Sequence, residues 1–181
     1  MRLLLFFVAL FSLACCGGPE PRRPVKVKSG SFIKESAERN KKLLEREEKM
    51  IKDIIALDTI HNYIATADGS WYYYENKRND EDYMPRPDDL VTLTYNIVSF
   101  GNDTIYSKET LGITNYKVDK QEFFPGFRSG VKLLKEGETA TFLFPSSRAY
   151  GYLGDKNKVG PNVPIKSTLS ILKIEKQRDS I

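Results

Sequence analysis

Conventional catalytic chemistry has few residues to work with in this chain. His61 is the single histidine among 181 residues, and the two cysteines, Cys15 and Cys16, stand side by side near the N-terminus. A Ser/His/Asp or Cys/His relay needs a base beside a nucleophile, and a structural zinc site needs several thiolates or imidazoles. Neither set can be assembled downstream of residue 16, so no metal and no cofactor is expected. Gly151, Gly154 and Gly160 are not followed by the Lys-Ser/Thr of a phosphate loop and read as glycines of a mobile surface loop. What remains is an excess of apolar residues where the chain should turn: Phe123-Phe124-Pro125-Gly126-Phe127, Ala149-Tyr150-Gly151-Tyr152 and Val163-Pro164. Apolar side chains beside turns point to a shallow hydrophobic pocket, and ordinary core packing accounts for each of them taken singly.

The elements that would position these residues are mostly strands. Asp68-Gly69 turns into Trp71-Tyr72-Tyr73-Tyr74, an aromatic run of high β propensity read as the first strand. Leu90 to Val98 alternates apolar and polar residues as one half-buried strand, and a turn over Phe100 to Thr104 leads to Ile105-Tyr106. Phe127 to Leu134 reads as a short helix, Thr139 to Phe144 as a strand, and Ser167 to Glu175 as the last strand. Between them Pro145 to Pro164 forms a loop of about 20 residues, a length that in compact domains usually carries function. The pattern predicts an α+β domain, an antiparallel sheet wrapped on a short helix.

Ahead of it, residues 32–66 form a helical region. The stretch from Phe32 to about Ile60 lacks Gly and Pro and places Leu43, Met50, Ile54 and Leu57 near one face, with Leu44, Ile51 and Ile55 beside them and Ser31 as cap. Glu47 and Glu48 interrupt the stripe, which argues against a long coiled coil. The helix either packs back on its own domain or joins two copies in a dimer.

Residues 1–16 combine Arg2, the apolar run LLLFFVALFSLA and the cysteine pair, the composition of an export signal too short to span a bilayer permanently. Leu13-Ala14-Cys15-Cys16 resembles the lipobox of bacterial lipoproteins, with Cys16 the expected lipidated residue and Cys15 the alternative. Residues 17–31, rich in Gly, Pro and basic side chains, read as a tether spanning roughly 20 Å. The net charge of +4 is dispersed, with no basic block or motif for nucleic acid.

Beyond the bare pattern, Gln121 to Phe127, Gly130-Val131, Lys135-Glu136-Gly137-Glu138, Phe144-Pro145, Ala149-Tyr150-Gly151 and Val163-Pro164 are similar in order and spacing to the FKBP domain of peptidyl-prolyl isomerases. Val91 to Tyr95 and Ile105-Tyr106-Ser107 resemble that family's preceding strands, so the likeness runs from Asp88 to Glu175 within a domain taken as residues 67–181. The whole chain looks more narrowly like the gliding-motility-associated FKBP lipoproteins of Bacteroidota.

The resemblance implies a half-barrel sheet around one helix and a peptidyl-prolyl cis-trans isomerase acting on proline-containing polypeptides. By position Phe127 would be the floor of a prolyl pocket, where the family usually has tryptophan. Tyr95, Ile105, Phe123, Phe124 and Ile171 would be its walls and Val163 its cover. The Tyr150 hydroxyl and the Phe124 N–H would hold substrate carbonyls. Tyr106 stands where the family commonly has an aspartate, a departure expected to reduce activity, and Thr114 to Tyr116 match the family's aromatic wall only loosely. The implied setting is a lipid-anchored protein of the bacterial envelope, at the outer membrane facing the periplasm. A chaperone or interaction module on the same fold, without catalysis, is the alternative.

Overall fold

The computed structural model describes residues 29–79 and 83–177. The expected signal, the expected lipobox with Cys15 and Cys16, and the expected tether up to residue 28 lie outside the described residues. The chain divides into two compact units, residues 1–36 and 37–181. The sheet, its short helices and the loops between them all belong to the second unit, and the described part of the first is the opening of one long helix.

That helix, α1, runs Ser29–Leu57, so it begins two residues before Ser31, the expected cap. The Gly- and Pro-free stretch continues as helix to within three residues of Ile60, where Asp58 ends it. Asp58 Oδ1 accepts the N–H groups of Ile60 and His61, and its Oδ2 lies 2.8 Å from His61 Nδ1 and accepts the Tyr63 hydroxyl at 2.9 Å. Carboxylate bonding to the backbone just ahead competes with helical continuation.

Eight strands follow in the order β1 (Ile64–Ala65), β2 (Trp71–Asn76), β3 (Leu90–Tyr95), β4 (Ile97–Ser99), β5 (Thr104–Tyr106), β6 (Thr114–Lys117), β7 (Thr139–Phe144) and β8 (Ile165–Glu175). Two short helices, α2 (Lys108–Leu111) and α3 (Pro125–Val131), interrupt them. All pairings are antiparallel, the main path is β1-β2-β7-β8-β3-β6, and β4 pairs with β5 and β8. This is the expected α+β arrangement, with β1 as an addition ahead of the aromatic strand.

The single strand expected from Leu90 to Val98 is two. Asn96 breaks it by turning its own groups sideways into β8: its carbonyl accepts the Ser167 hydroxyl and its Oδ1 accepts the Thr168 N–H. The break redirects β4 toward β5, which carries Ile105 and Tyr106.

Alternation decides which side chains face α3. Val91, Leu93, Tyr95, Ala140, Phe142, Phe144, Leu169 and Ile171 are buried in one core with Phe127 and Val131 of α3. Pro125 sits in the first turn of α3, where its missing N–H costs nothing. Gly126 is needed there because a Cβ would lie 2.4 Å from the Phe144 ring and 2.8 Å from the Arg148 carbonyl oxygen. The helix therefore lies tightly against β7.

The opposite face of the sheet is also covered. Leu143 points away from α3 yet is fully buried, and it lines a cleft with Ile54 and Leu57 of α1. Ile51 is fully buried, a placement that contributes about 1.5–3 kcal/mol. Glu47, which interrupts the stripe in sequence, is buried as well and accepts the Ser146 N–H at 2.8 Å. Leu43, Glu47, Ile51 and Ile54 are thus the side chains by which the helix packs on its own domain.

Candidate functional site

Phe127 is the centre of an aromatic cluster. Tyr95 of β3, Tyr116 of β6 and Phe124 meet its ring edge-on at 5.0, 5.4 and 5.7 Å, and Phe123 stacks on it at 4.3 Å with 14° between planes. Such offset and edge contacts add about 0.5–1.5 kcal/mol each beyond burial. Phe127 is fully buried, so the expected floor does not reach the surface. Phe123 lies flat over it and is half-buried. The physical reason is the stacking itself: the Phe123 ring covers one face of the Phe127 ring.

Above this layer opens a pocket of about 440 Å³ lined by Tyr95, Glu122, Phe123, Phe124, Ala149 and Tyr150. Four of the expected residues are brought together here. Ile105, Tyr106 and Val163 are half-buried and pack against the same core without lining this pocket. Ile171, on β8, is buried in the core behind and does not line it either. Inward alternation along β8 explains both its burial and its distance from the opening.

The donors of the site are unengaged. Phe124 precedes α3 in an extended conformation, and neither its N–H nor the Tyr150 hydroxyl has a hydrogen-bond acceptor among the described residues. Tyr150 touches the Phe124 ring at 5.0 Å. Burial, and then the nearby Tyr95, Asp155 and Tyr106, push the Tyr150 hydroxyl well above its ordinary pKa, so it stays a proton donor. Burial raises Tyr95 in the same way.

The long loop is organised rather than open. It holds two 3-10 turns, Ser146–Arg148 and Gly151–Leu153. Gly154 has φ of 64°, and a Cβ there would sit 2.3 Å from the Val159 carbonyl oxygen, so this glycine serves a close approach rather than mobility. Asp155 closes the turn by accepting the N–H groups of Asn157 and Val159, both at 2.8 Å. Its other oxygen accepts the Tyr106 hydroxyl at 2.5 Å. Burial opposes ionisation of Asp155, but the hydrogen bonds from Tyr106, Asn157 and Val159 outweigh it and hold its carboxyl below the usual range. The same bond to Asp155 raises the Tyr106 hydroxyl.

Sequence reasoning gave Tyr116, Glu122 and Ala149 no role of their own, although each lies in a segment it singled out, and it passed over Asp155. Tyr116 had a legible signal, an aromatic residue in alternation on a strand beside the cluster. Asp155 had none, because its partner Tyr106 is 49 residues away.

Comparison with known proteins agrees with this geometry. A family model described as FKBP-type peptidyl-prolyl cis-trans isomerase matches residues 81–174. The chain is 33% identical over 132 residues to the probable FKBP-type peptidyl-prolyl cis-trans isomerase FkpA of Neisseria meningitidis serogroup B (strain ATCC BAA-335 / MC58). That alignment covers 72% of this chain and 46% of the relative, so the chain spans about half the length of the curated protein it matches. The fold is similar to the crystal structure of FkpA from Escherichia coli, with TM-score 0.61 and 17% identity over 96% of this chain and 81% of that one. It is also similar to a peptidyl-prolyl cis-trans isomerase from Pseudomonas syringae pv. tomato str. DC3000, with TM-score 0.57 and 16% identity over 75% of this chain and 96% of that one. With the family's match running from β3 into β8 and taking in α3 and the pocket loop, this chain belongs to the FKBP-type peptidyl-prolyl cis-trans isomerases.

Proposed function

We propose that the protein is a peptidyl-prolyl cis-trans isomerase of exported, proline-containing polypeptides. The observation that carries this is an aromatic pocket whose wall presents two unengaged donors, the Phe124 N–H and the Tyr150 hydroxyl.

Rotation about an X-Pro amide breaks no bond. Its barrier of about 18–20 kcal/mol is lost resonance, and uncatalysed exchange takes tens to hundreds of seconds. A twisted amide is less polar than a planar one, so a dry aromatic wall favours it over the ground state. Donors fixed to the flanking carbonyls hold the chain while the prolyl bond turns. An acceleration of about a thousandfold needs only about 4 kcal/mol of this differential binding.

The test is cis/trans exchange in a proline-containing tetrapeptide, with and without the protein. Acceleration that Phe124→Ala weakens is expected; unchanged exchange at micromolar protein overturns the proposal.

One observation favours a second reading, a chaperone that holds unfolded chains without catalysis. Phe123 covers Phe127, so the platform at the surface differs from the expected one. Suppressed aggregation of an unfolding client together with unaccelerated tetrapeptide exchange would select it.

The sequence of residues 1–16 supports lipidation at Cys16 and residence at the outer membrane facing the periplasm. The narrower likeness to gliding-associated lipoproteins supports clients from a gliding or secretion machine. Intact mass of the native protein against Cys16→Ala tests the anchor. Phe32 and Ile33, exposed at 64% and 66%, support pairing of two copies through the start of α1, which sedimentation would read.

A further inference from the structure

A second opening lies on the other side of the loop that carries Tyr150. It is a groove of about 430 Å³ between α1 and the loop, lined by Leu43, Leu44 and Glu47 on one side and by Ser146, Gly151 and Tyr152 on the other. Its rim is unusually apolar for a surface: Leu44 is exposed at 42% and Tyr152 at 79%. Leaving a tyrosine and a leucine in water beside a concave wall forgoes about 25 cal/mol for each Å² that an apolar partner could cover.

The groove also carries an unmatched charge. Glu47 Oε2 accepts the Ser146 N–H, but Oε1 is buried and meets no donor among the described residues. Lys41, which lines the same groove, pairs with Glu45 at 3.9 Å instead. An unpaired buried carboxylate oxygen is costly, and a ligand that brings a donor to it removes that cost.

Position links this groove to the prolyl pocket. Tyr150 lines one and its neighbour Gly151 lines the other, so the two openings flank the same turn of the loop. We propose that the groove is a second client site, which takes an apolar side chain followed by a lysine or arginine from the same unfolded polypeptide whose prolyl bond occupies the pocket. The occupant is a cationic, apolar peptide segment because Leu44 and Tyr152 offer the apolar contact and Glu47 the charge. The inference rests on the isomerase reading only for the identity of the client, since binding here is measured apart from catalysis.

The experiment uses the whole protein and a labelled, proline-free, unstructured peptide of alternating leucine and arginine, with binding followed by fluorescence anisotropy. A matched peptide carries glutamate in place of arginine. Leu44→Lys and Tyr152→Ser are expected to weaken binding of the arginine peptide by about tenfold each. Glu47→Gln keeps the bond to Ser146 and is expected to abolish the preference for arginine over glutamate. Unfolding midpoints and tetrapeptide exchange of Leu44→Lys should match the parent, which separates the groove from the pocket. If tetrapeptide exchange is unaccelerated in every form while the groove variants still lose the peptide, the catalytic reading fails and the site stands. Peptide affinity unchanged in both rim variants overturns it. Dimers in sedimentation that Tyr152→Ser dissociates, with no effect on peptide binding, would assign the groove to a second copy and also overturn it.

Discussion

Two aromatic clusters stand on opposite sides of the sheet, and they differ in what their polar atoms do. On one side His61 stacks on Tyr73 at 4.0 Å and Tyr63 meets the same ring edge-on at 5.0 Å. The Tyr63 hydroxyl and the His61 ring both engage Asp58, which also takes two backbone N–H groups. Around Phe127 the rings are packed as closely, yet the Tyr150 hydroxyl and the Phe124 N–H are left without acceptors among the described residues. Packing therefore does not distinguish a site from scaffold here; unengaged donors beside an open pocket do. His61 Nδ1 and the Tyr63 hydroxyl are spent on Asp58, which fits a structural part for the chain's one histidine.

The largest effect that would sharpen this contrast is on stability. Phe127 is fully buried with four aromatic neighbours, so Phe127→Ala should cost about 3–5 kcal/mol in denaturant unfolding. Loss of exchange activity in that variant would then stem from damage to the core. Phe123→Ala is the sharper probe of the surface platform, because Phe123 is half-buried and lines the pocket while Phe127 does not. Phe127→Ala as stable as the parent would mean that the cluster does not hold the site together.

Much of this arrangement is legible locally. Alternation from Leu90 to Tyr95 places Val91, Leu93 and Tyr95 in the core as expected, and the short helix expected from Phe127 to Leu134 overlaps α3, which begins two residues earlier at Pro125. The misreadings share a cause, the dependence on partners distant in sequence. Glu47 reads as an interruption of the α1 stripe because nothing nearby announces an N–H from Ser146, 99 residues on. Asn96 reads as one more polar position of a strand until Ser167 and Thr168 draw it aside.

A smaller effect tests the donors themselves. Tyr150→Phe removes one hydroxyl without removing the ring that packs on Phe124. A neutral hydrogen bond contributes about 0.5–1.5 kcal/mol, so exchange should slow by about two- to tenfold with the unfolding midpoint unchanged. The effect should stay at about the same size from roughly pH 6 to 9, because the hydroxyl is pushed up and does not ionise there. Equal rates for Tyr150→Phe and parent would place Tyr150 with the satisfied cluster.

The smallest effect belongs to that other cluster and fades in acid. The Asp58 carboxyl is held well below its ordinary value of 3.8, first by the His61 side chain and then by the Ile60 N–H, against the opposing effect of burial. In the unfolded chain it takes up a proton near its ordinary value, so as pH falls through that region the unfolded state binds more protons than the folded one. The stabilisation is complete above that range and is lost progressively below it. Asp58→Asn cannot titrate. The variant should start less stable at about pH 7, lose less on acidification, and converge with the parent in unfolding measurements carried toward about pH 2, while tetrapeptide exchange at neutral pH stays at the parent's rate. Parallel stability curves for the two proteins across that acid range would show that Asp58 gains nothing from its four partners, and a fall in exchange at neutral pH would show that the two faces of the sheet are not separate after all.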